Sequence, residues 1–365
     1  MKGYDVTILV KYCYYINNKI QTYGGKEMKK IISLLLATCM TFAVAACGSK
    51  SGSNKTEAKH LKLGMYIVTS QSGSDATADG NGNAQTDSTV ATVLLDEKGV
   101  IVDCIIDVAQ TKIGFTTAGE VLEKDKKVQS KRELGDAYGM AARAKKGEWD
   151  KQTQGFCDYA IGKTAKEISG IAIDESGAPT DKAITATTTI KIGDFIEAVV
   201  GACEAATELG AKDGDKLGLK IVTNIADSTD ASADGDGTCY AYSTYCAVTA
   251  DKDGKVTSST IDSTQSKISI STAGVITSDL SNSKVVSKNV LKDKYNMASR
   301  SEIGKEWYEQ AAGFCDYIKG KSADEISGIA LDESDKPKDD ALLATTTITI
   351  GDFIEAAVAA VADAK

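Results

Sequence analysis

The sequence predicts an α+β protein made of two tandem homologous domains, each a hairpin-built antiparallel sheet with helices packed on it. The first observation is an internal repeat. Gly155-Phe156-Cys157-Asp158-Tyr159 recurs as Gly313-Phe314-Cys315-Asp316-Tyr317. Glu167–Ala172 recurs as Glu325–Ala330, Ala186–Ile190 as Ala344–Ile348, and Gly193–Ala198 as Gly351–Ala356, all at one offset of 158 residues. Earlier in each copy the offset is 155, as between Asp107 and Asp262 or Asp79-Gly80 and Asp234-Gly235, so small insertions separate the two blocks. The second observation is that β-rich runs come first in each copy and helix-patterned runs follow. The third is size, because residues 47–365 exceed a usual single core. The copies span 61–209 and 216–365, with 210–215 as a short linker.

Each copy opens on strands. Val90–Leu95 and Val100–Val108 flank Asp96-Glu97-Lys98-Gly99, and Tyr245–Ala250 and Lys255–Ile261 flank Asp251-Lys252-Asp253-Gly254. β-rich runs around an acidic turn ending in Gly read as a hairpin. A calcium loop needs a ligand ladder ending in Glu, which neither turn has. Helices are expected over Lys131–Ala144 and Trp149–Ile161, with Trp149, Phe156 and Tyr159 (Trp307, Phe314 and Tyr317 in copy two) forming a core stripe. Thr164-Ala165-Lys166-Glu167 and Ser322-Ala323-Asp324-Glu325 fit the capping box. A Thr-rich strand, Thr187–Ile192, is expected to lead through Gly193 into a final helix. Asp194 would be its N-cap, and Phe195, Ile196, Val199, Val200 and Cys203 its apolar face.

Composition narrows the chemistry. The formal net charge is −9, and residues 1–47 carry six lysines against Asp5 and Glu27, which leaves about −13 on the remainder. Such a surface repels phosphate backbones, so no nucleic-acid partner is expected. The one histidine, His60, precedes both copies, so neither can host a Ser-His or Cys-His nucleophile. No phosphate-cradling loop or dinucleotide fingerprint occurs. Glu148 and Glu306, beside the tryptophans, read either as solvated helix faces or as acids. Cys104, Cys157, Cys203, Cys239, Cys246 and Cys315 match no zinc spacing, and no metal site is expected. Cys157 and Cys315 recur at one repeat position and are expected to fill the same core slot twice.

Location is written near the start. Lys29-Lys30, the apolar run Ile31–Val44 and Ala45-Ala46-Cys47 follow the order of a secretory signal. The small pair before Cys47 resembles the lipobox of bacterial lipoproteins. That resemblance implies a signal peptide over 28–46, a diacylglyceryl group on Cys47, and a protein anchored to the outer face of the cell membrane. A transmembrane reading of Ile31–Ala46 is disfavoured, because the run is shorter than the roughly 20 residues a span needs. Residues 47–60, rich in Ser, Lys, Gly and Asn, read as a lipid-anchored tether. Gly24-Gly25-Lys26-Glu27 is typically encoded by purine-rich codons, like a translated ribosome-binding site, so Met28 is the expected start and 1–27 a mis-called upstream segment. A genuine extended n-region is the rival reading.

At the Thr-rich segment each copy resembles the FMN-binding domain found in flavin-carrying subunits of membrane oxidoreductases and in bacterial surface lipoproteins. The likeness rests on the Asp-Gly entry (Asp79-Gly80; Asp234-Gly235), the hairpin, and an Ala-Thr followed in the last helix by Ala-Val or Ala-Ala (Ala186-Thr187 to Ala198-Val199; Ala344-Thr345 to Ala356-Ala357). The family motif is Ser-Gly-Ala-Thr, whose Thr can carry FMN through a phosphoester. Here Ile184-Thr185 and Leu342-Leu343 replace the Ser-Gly, removing the turn that presents the hydroxyl. The resemblance implies FMN as cofactor, with Thr187, Thr188, Gly193 and Trp149 in copy one and Thr345, Thr346, Gly351 and Trp307 in copy two as candidate binding residues. The glycines open a helix N-terminus suited to phosphate, and the tryptophans could stack on the ring. Asp194 and Asp352 oppose a phosphate there, and the plain reading of the threonines is a half-wet β-branched strand. Tyr240, Tyr242 and Tyr245 stand in copy two opposite Gln85, Asp87 and Val90, so a ligand role can differ between copies. The expected function is a membrane-anchored ligand-binding or electron-relay module rather than an autonomous enzyme, with a small molecule or a membrane redox protein as partner. Two alternatives stay open: a flavin-free surface module for a small molecule, cell wall or protein, and an extracytoplasmic hydrolase.

Overall fold

The structure, a computed structural model, describes residues 59–281 and 285–364. The signal, Cys47 and nearly all of the tether lie outside the described residues. No helix among the described residues is long and apolar enough to cross a membrane.

Residues 58–365 form one compact unit. Strands β1 (Lys62–Ser74), β2 (Gly82–Leu95) and β3 (Ile101–Phe115) make an antiparallel sheet in the order β1-β2-β3. Strands β4 (Lys216–Asn224), β5 (Gly237–Ala250) and β6 (Val256–Ile270) repeat it. Both expected hairpins form, their turns closed by Asp96 and Asp251 side chains on backbone N–H groups. Helices follow each sheet. In the first repeat they are α1 (Lys131–Leu134), α2 (Trp149–Ala160), α3 (Ala165–Ser169), α4 (Lys182–Thr185) and α5 (Gly193–Ala205). In the second they are α6 (Lys288–Leu291), α7 (Trp307–Ile318), α8 (Ala323–Ser327), α9 (Asp340–Leu343) and α10 (Gly351–Asp363).

The two sheets lie face to face, with the helices on their outer sides. Strand β2 shows why. Side chains alternate across a strand, so Val90 and Leu94 join Leu63, Met65, Leu217, Leu219 and Tyr245 between the sheets, while Ala91, Val93 and Leu95 face the helices. A strand buried on both faces reads as a continuous apolar run. Polar contacts also cross between the repeats: the Thr86 and Ser266 hydroxyls are 2.6 Å apart, and Arg132 pairs with Asp363 at 3.1 Å. The expected linker is tied into this body. Ala211 is buried and its carbonyl accepts from Leu61 N–H at 2.9 Å.

Several local expectations hold. Thr164 with Glu167 and Ser322 with Glu325 form capping boxes. Cys157 and Cys315 are buried, one in each helix–sheet core. All six described cysteines are free thiols. Others are corrected. Lys131–Ala144 is not one helix: α1 is a single turn that continues as 3-10 over Gly135–Tyr138, because Gly135 takes a positive φ and breaks the α ladder. Thr187–Ile192 is not a strand, and its geometry is described below. Asp194 is not the N-cap of α5; Ile192 is, with no side-chain cap, and Asp194 lies inside the first turn.

Asp107 and Asp262, at matching places on β3 and β6, are buried carboxylates. Desolvation pushes each up to about 6, against the backbone donors of Arg132 and Val108, or of Asn289 and Ser263, that favour the charged form. A folded value above the unfolded 3.8 means the native state holds the proton longer. This contribution is fully present below about pH 4 and is lost as pH rises through 6. The stability of the parent relative to an Asp107→Asn variant, which has no such proton, should therefore fall between pH 4.5 and 7.5. Urea unfolding at both values measures it, and an unchanged difference would contradict the assignment.

Candidate functional site

The Thr-rich segments are held by a buried glutamine instead of a neighbouring strand. In the second repeat the Thr346 hydroxyl donates to the Gln310 main-chain oxygen at 2.7 Å, and Thr347 N–H donates to Gln310 Oε1 at 2.9 Å. Thr188, Thr189 and Gln152 do the same in the first repeat, at 2.6 and 2.8 Å. That side chain satisfies one backbone donor in each segment, and the preceding N–H groups bond back to the Ile184 or Leu342 carbonyl, so no strand is required. Thr345, the candidate for a phosphoester, follows α9 and turns its hydroxyl back to the Leu342 carbonyl at 3.0 Å. Gly313 packs against it: a Cβ there would lie 2.7 Å from the Thr345 Cβ. Thr187 repeats this arrangement on Ile184. These hydroxyls serve a helix end.

The tryptophans are core. Trp149 is 4% exposed and Trp307 2%, each edge-on to the phenylalanine of the last helix, at 6.0 Å from Phe195 and 5.6 Å from Phe353. Glu148 and Glu306 are neither solvated faces nor free acids. Each is buried at the start of its tryptophan helix and accepts two backbone N–H bonds, from Met140 and Ala141 or from Met297 and Ala298. The donors of Ala298 and Met297 hold Glu306 below its ordinary range.

In the second repeat the structure gathers residues that the motifs did not single out. A pocket of about 360 Å³ is lined by Tyr242, Lys288, Tyr295, Trp307, Arg300 and Lys336, with Thr347 and Thr349 contributed by the Thr-rich segment. A second of about 400 Å³ adjoins it, sharing Tyr242, Lys288 and Thr349 and reaching Gly351 and Asp352. Of the sequence candidates, Trp307 thus lines the first pocket and Gly351 the second, whereas Thr345 and Thr346 line neither. At the centre is Lys288, 4% exposed. Its Nζ lies 4.7 Å from the Tyr242 ring centroid, 4.8 Å from Tyr295 and 4.7 Å from Trp307, and it donates to the Tyr242 hydroxyl at 3.0 Å. An ammonium over three ring faces gains cation–π attraction. Desolvation nevertheless pulls it down to about 7, against the opposing pull of Asp262. Burial also pushes the Tyr242 phenol up to about 12.

The first repeat keeps only part of this. Lys131 lies 5.1 Å from Tyr138 and 5.4 Å from Trp149, but Asp87 replaces Tyr242 and Ala178 replaces Lys336. Thr187, Thr188, Gly193 and Trp149 are therefore not drawn around a matching aromatic cage. The copy-two tyrosines were the sequence signal for this difference, although Tyr245 itself is buried between the sheets, bonded to Thr264 at 2.8 Å.

For a flavin the fit is partial. Arg300 and Lys336 suit a phosphate, but Lys288 covers the ring faces a flavin would stack on, and the Thr345 hydroxyl is already engaged. No group of three or more His, Cys, Asp or Glu among the described residues is placed to hold a metal ion. Comparison with known proteins finds no matching family model, no matching curated protein and no matching solved structure.

Proposed function

We propose that the protein is an extracytoplasmic lipoprotein, held on the outer face of the cell membrane through Cys47, whose second repeat binds a small anionic ligand. The two halves are read as a duplicated FMN-binding-like domain in which the copies have diverged. One observation carries the ligand reading: Lys288, Arg300 and Lys336 converge with Tyr242, Tyr295 and Trp307 on one pocket. Few polar groups placed in an aromatic-lined concavity are the usual make-up of a small-molecule site. FMN is the ligand the family resemblance implies, and non-covalent binding is the mode these residues support. An electron-relay role with a membrane redox partner would follow only if flavin binds. The flavin-free reading is favoured by the lysine already lying over the rings.

The test is equilibrium dialysis of the detergent-extracted protein against FMN and against FMN-free phosphate compounds, with visible absorbance and intact mass. Arg300→Ala and Lys336→Ala should each weaken binding of a phosphate ligand about tenfold, the cost of one charge-assisted hydrogen bond. Binding that neither substitution alters would refute this pocket as the site.

A further inference from the structure

We infer that Lys288 is a carbonyl-capturing amine, forming an imine with an aldehyde or ketone that also carries an anionic group. The inference rests on the pocket being a ligand site and names the class of ligand. Lysine is a strong nucleophile only as the free amine, and burial without an ion-pair partner favours that form. Among the described residues Lys288 has no ion pair; its one hydrogen bond is to the Tyr242 hydroxyl. Its Nζ lies among three ring faces, and Lys288 lines both pockets, so the amine stands beside any ligand that enters them.

The charged groups around it divide by side. Asp262 on β6 is the carboxylate that acts on Lys288 through space. Arg300, Lys336 and Glu302 edge the smaller pocket, and Asp227, Asp335 and Asp352 the larger. With Lys336 paired to Glu302 at 3.1 Å, the smaller pocket's edge keeps one net positive charge, at Arg300, for a phosphate or carboxylate. The phenols of Tyr242 and Tyr295, both raised by burial, add no further anion, so Asp262 alone opposes the burial that favours the free amine.

The step balances without an oxidant or reductant. The Nζ lone pair attacks the carbonyl carbon, the nitrogen gives up two protons, the carbonyl oxygen leaves as water, and a C=N bond remains. The Tyr242 hydroxyl, already bonded to Nζ, is placed to pass a proton to the departing oxygen. Lys131, the same position in the first repeat, is a built-in control: it is only half-buried, lacks the tyrosine, and has Asp194 acting on it.

Pyridoxal 5′-phosphate, a planar aldehyde with a phosphate, is the probe. The full-length protein extracted from membranes is treated with it, reduced with borohydride and peptide-mapped. Saturable labelling of Lys288 is expected, at least roughly tenfold faster at pH 7.5 than at Lys131 or surface lysines, because the buried amine stands inside the ligand pocket. The rate should rise between pH 6 and 8. Lys288→Arg should remove the label while circular dichroism stays unchanged, and Tyr242→Phe should slow labelling without unfolding the protein. Pyridoxamine 5′-phosphate has the same ring and phosphate without the carbonyl. If it binds while Lys288 stays unlabelled, or labels no faster than Lys131, the imine is refuted and the pocket stands. If neither phosphate binds, the ligand-site reading fails first and this inference falls with it.

Discussion

Replacing Phe353 by alanine is expected to lower the unfolding free energy of the whole protein by about 4 kcal/mol, in the upper range for deleting a buried ring. Phe353 is 2% exposed, on the inner face of α10. Its ring meets Trp307 at 5.6 Å and Phe314 at 5.5 Å, both edge-on, so two buried aromatic side chains lose a partner together. The cavity would open beneath the second sheet, which supports the first through their shared core. A single transition should therefore shift, seen alike by tryptophan fluorescence and by far-UV circular dichroism. Two separated transitions with only one displaced would mean that the repeats unfold independently, against the face-to-face packing described here. A loss below about 1 kcal/mol would mean that the neighbouring rings collapse into the space.

Gly218→Ala should be nearly as damaging, at roughly 3 kcal/mol, the cost of forcing an atom into a packed core. Gly218 lies on β4 where α10 crosses it. An added Cβ would overlap the Ala360 carbonyl oxygen and approach Ala364 N at 2.9 Å. Those are backbone atoms, so no rotamer change relieves the clash, and the helix would have to lift from the sheet. Gly64 faces Ala202 of α5 and Ala206 just past its end in the same way. Gly254→Ala is the contrast: its Cβ meets nothing within 4 Å, and its cost comes only from the positive φ of 72°. Equal effects of Gly218→Ala and Gly254→Ala on urea unfolding would contradict the steric argument.

Local features were legible because their causes are local. The hairpins follow from runs such as Val90–Leu95 ending at Asp96 and Gly99. The capping boxes follow from a hydroxyl and a carboxylate three residues apart, and α5 and α10 from helical spacing of apolar residues. The Thr-rich segment misled because β-branched composition suggests a strand, whereas Gln152 and Gln310 satisfy its donors from 36 or 37 residues away. Glu148 and Glu306 misled because a carboxylate beside a tryptophan carries no mark of the backbone donors that will fold onto it. Asp194 follows a glycine at the helix start, as an N-cap could, but the helix begins two residues earlier than that role requires.

The sequence by itself determined the repeat, the α+β order of elements and the turn and cap chemistry, because each depends on residues a few positions apart. Only the tertiary structure decided that the two sheets share a core and that Lys288 lies among Tyr242, Tyr295 and Trp307. That cage joins a sheet strand, a 3-10 turn and a helix, and Arg300 reaches its pocket from a second 3-10 turn and Lys336 from a loop. Its burial, and with it the downward pull on the lysine's pKa, is a property of packing between distant segments, which no spacing along the chain encodes.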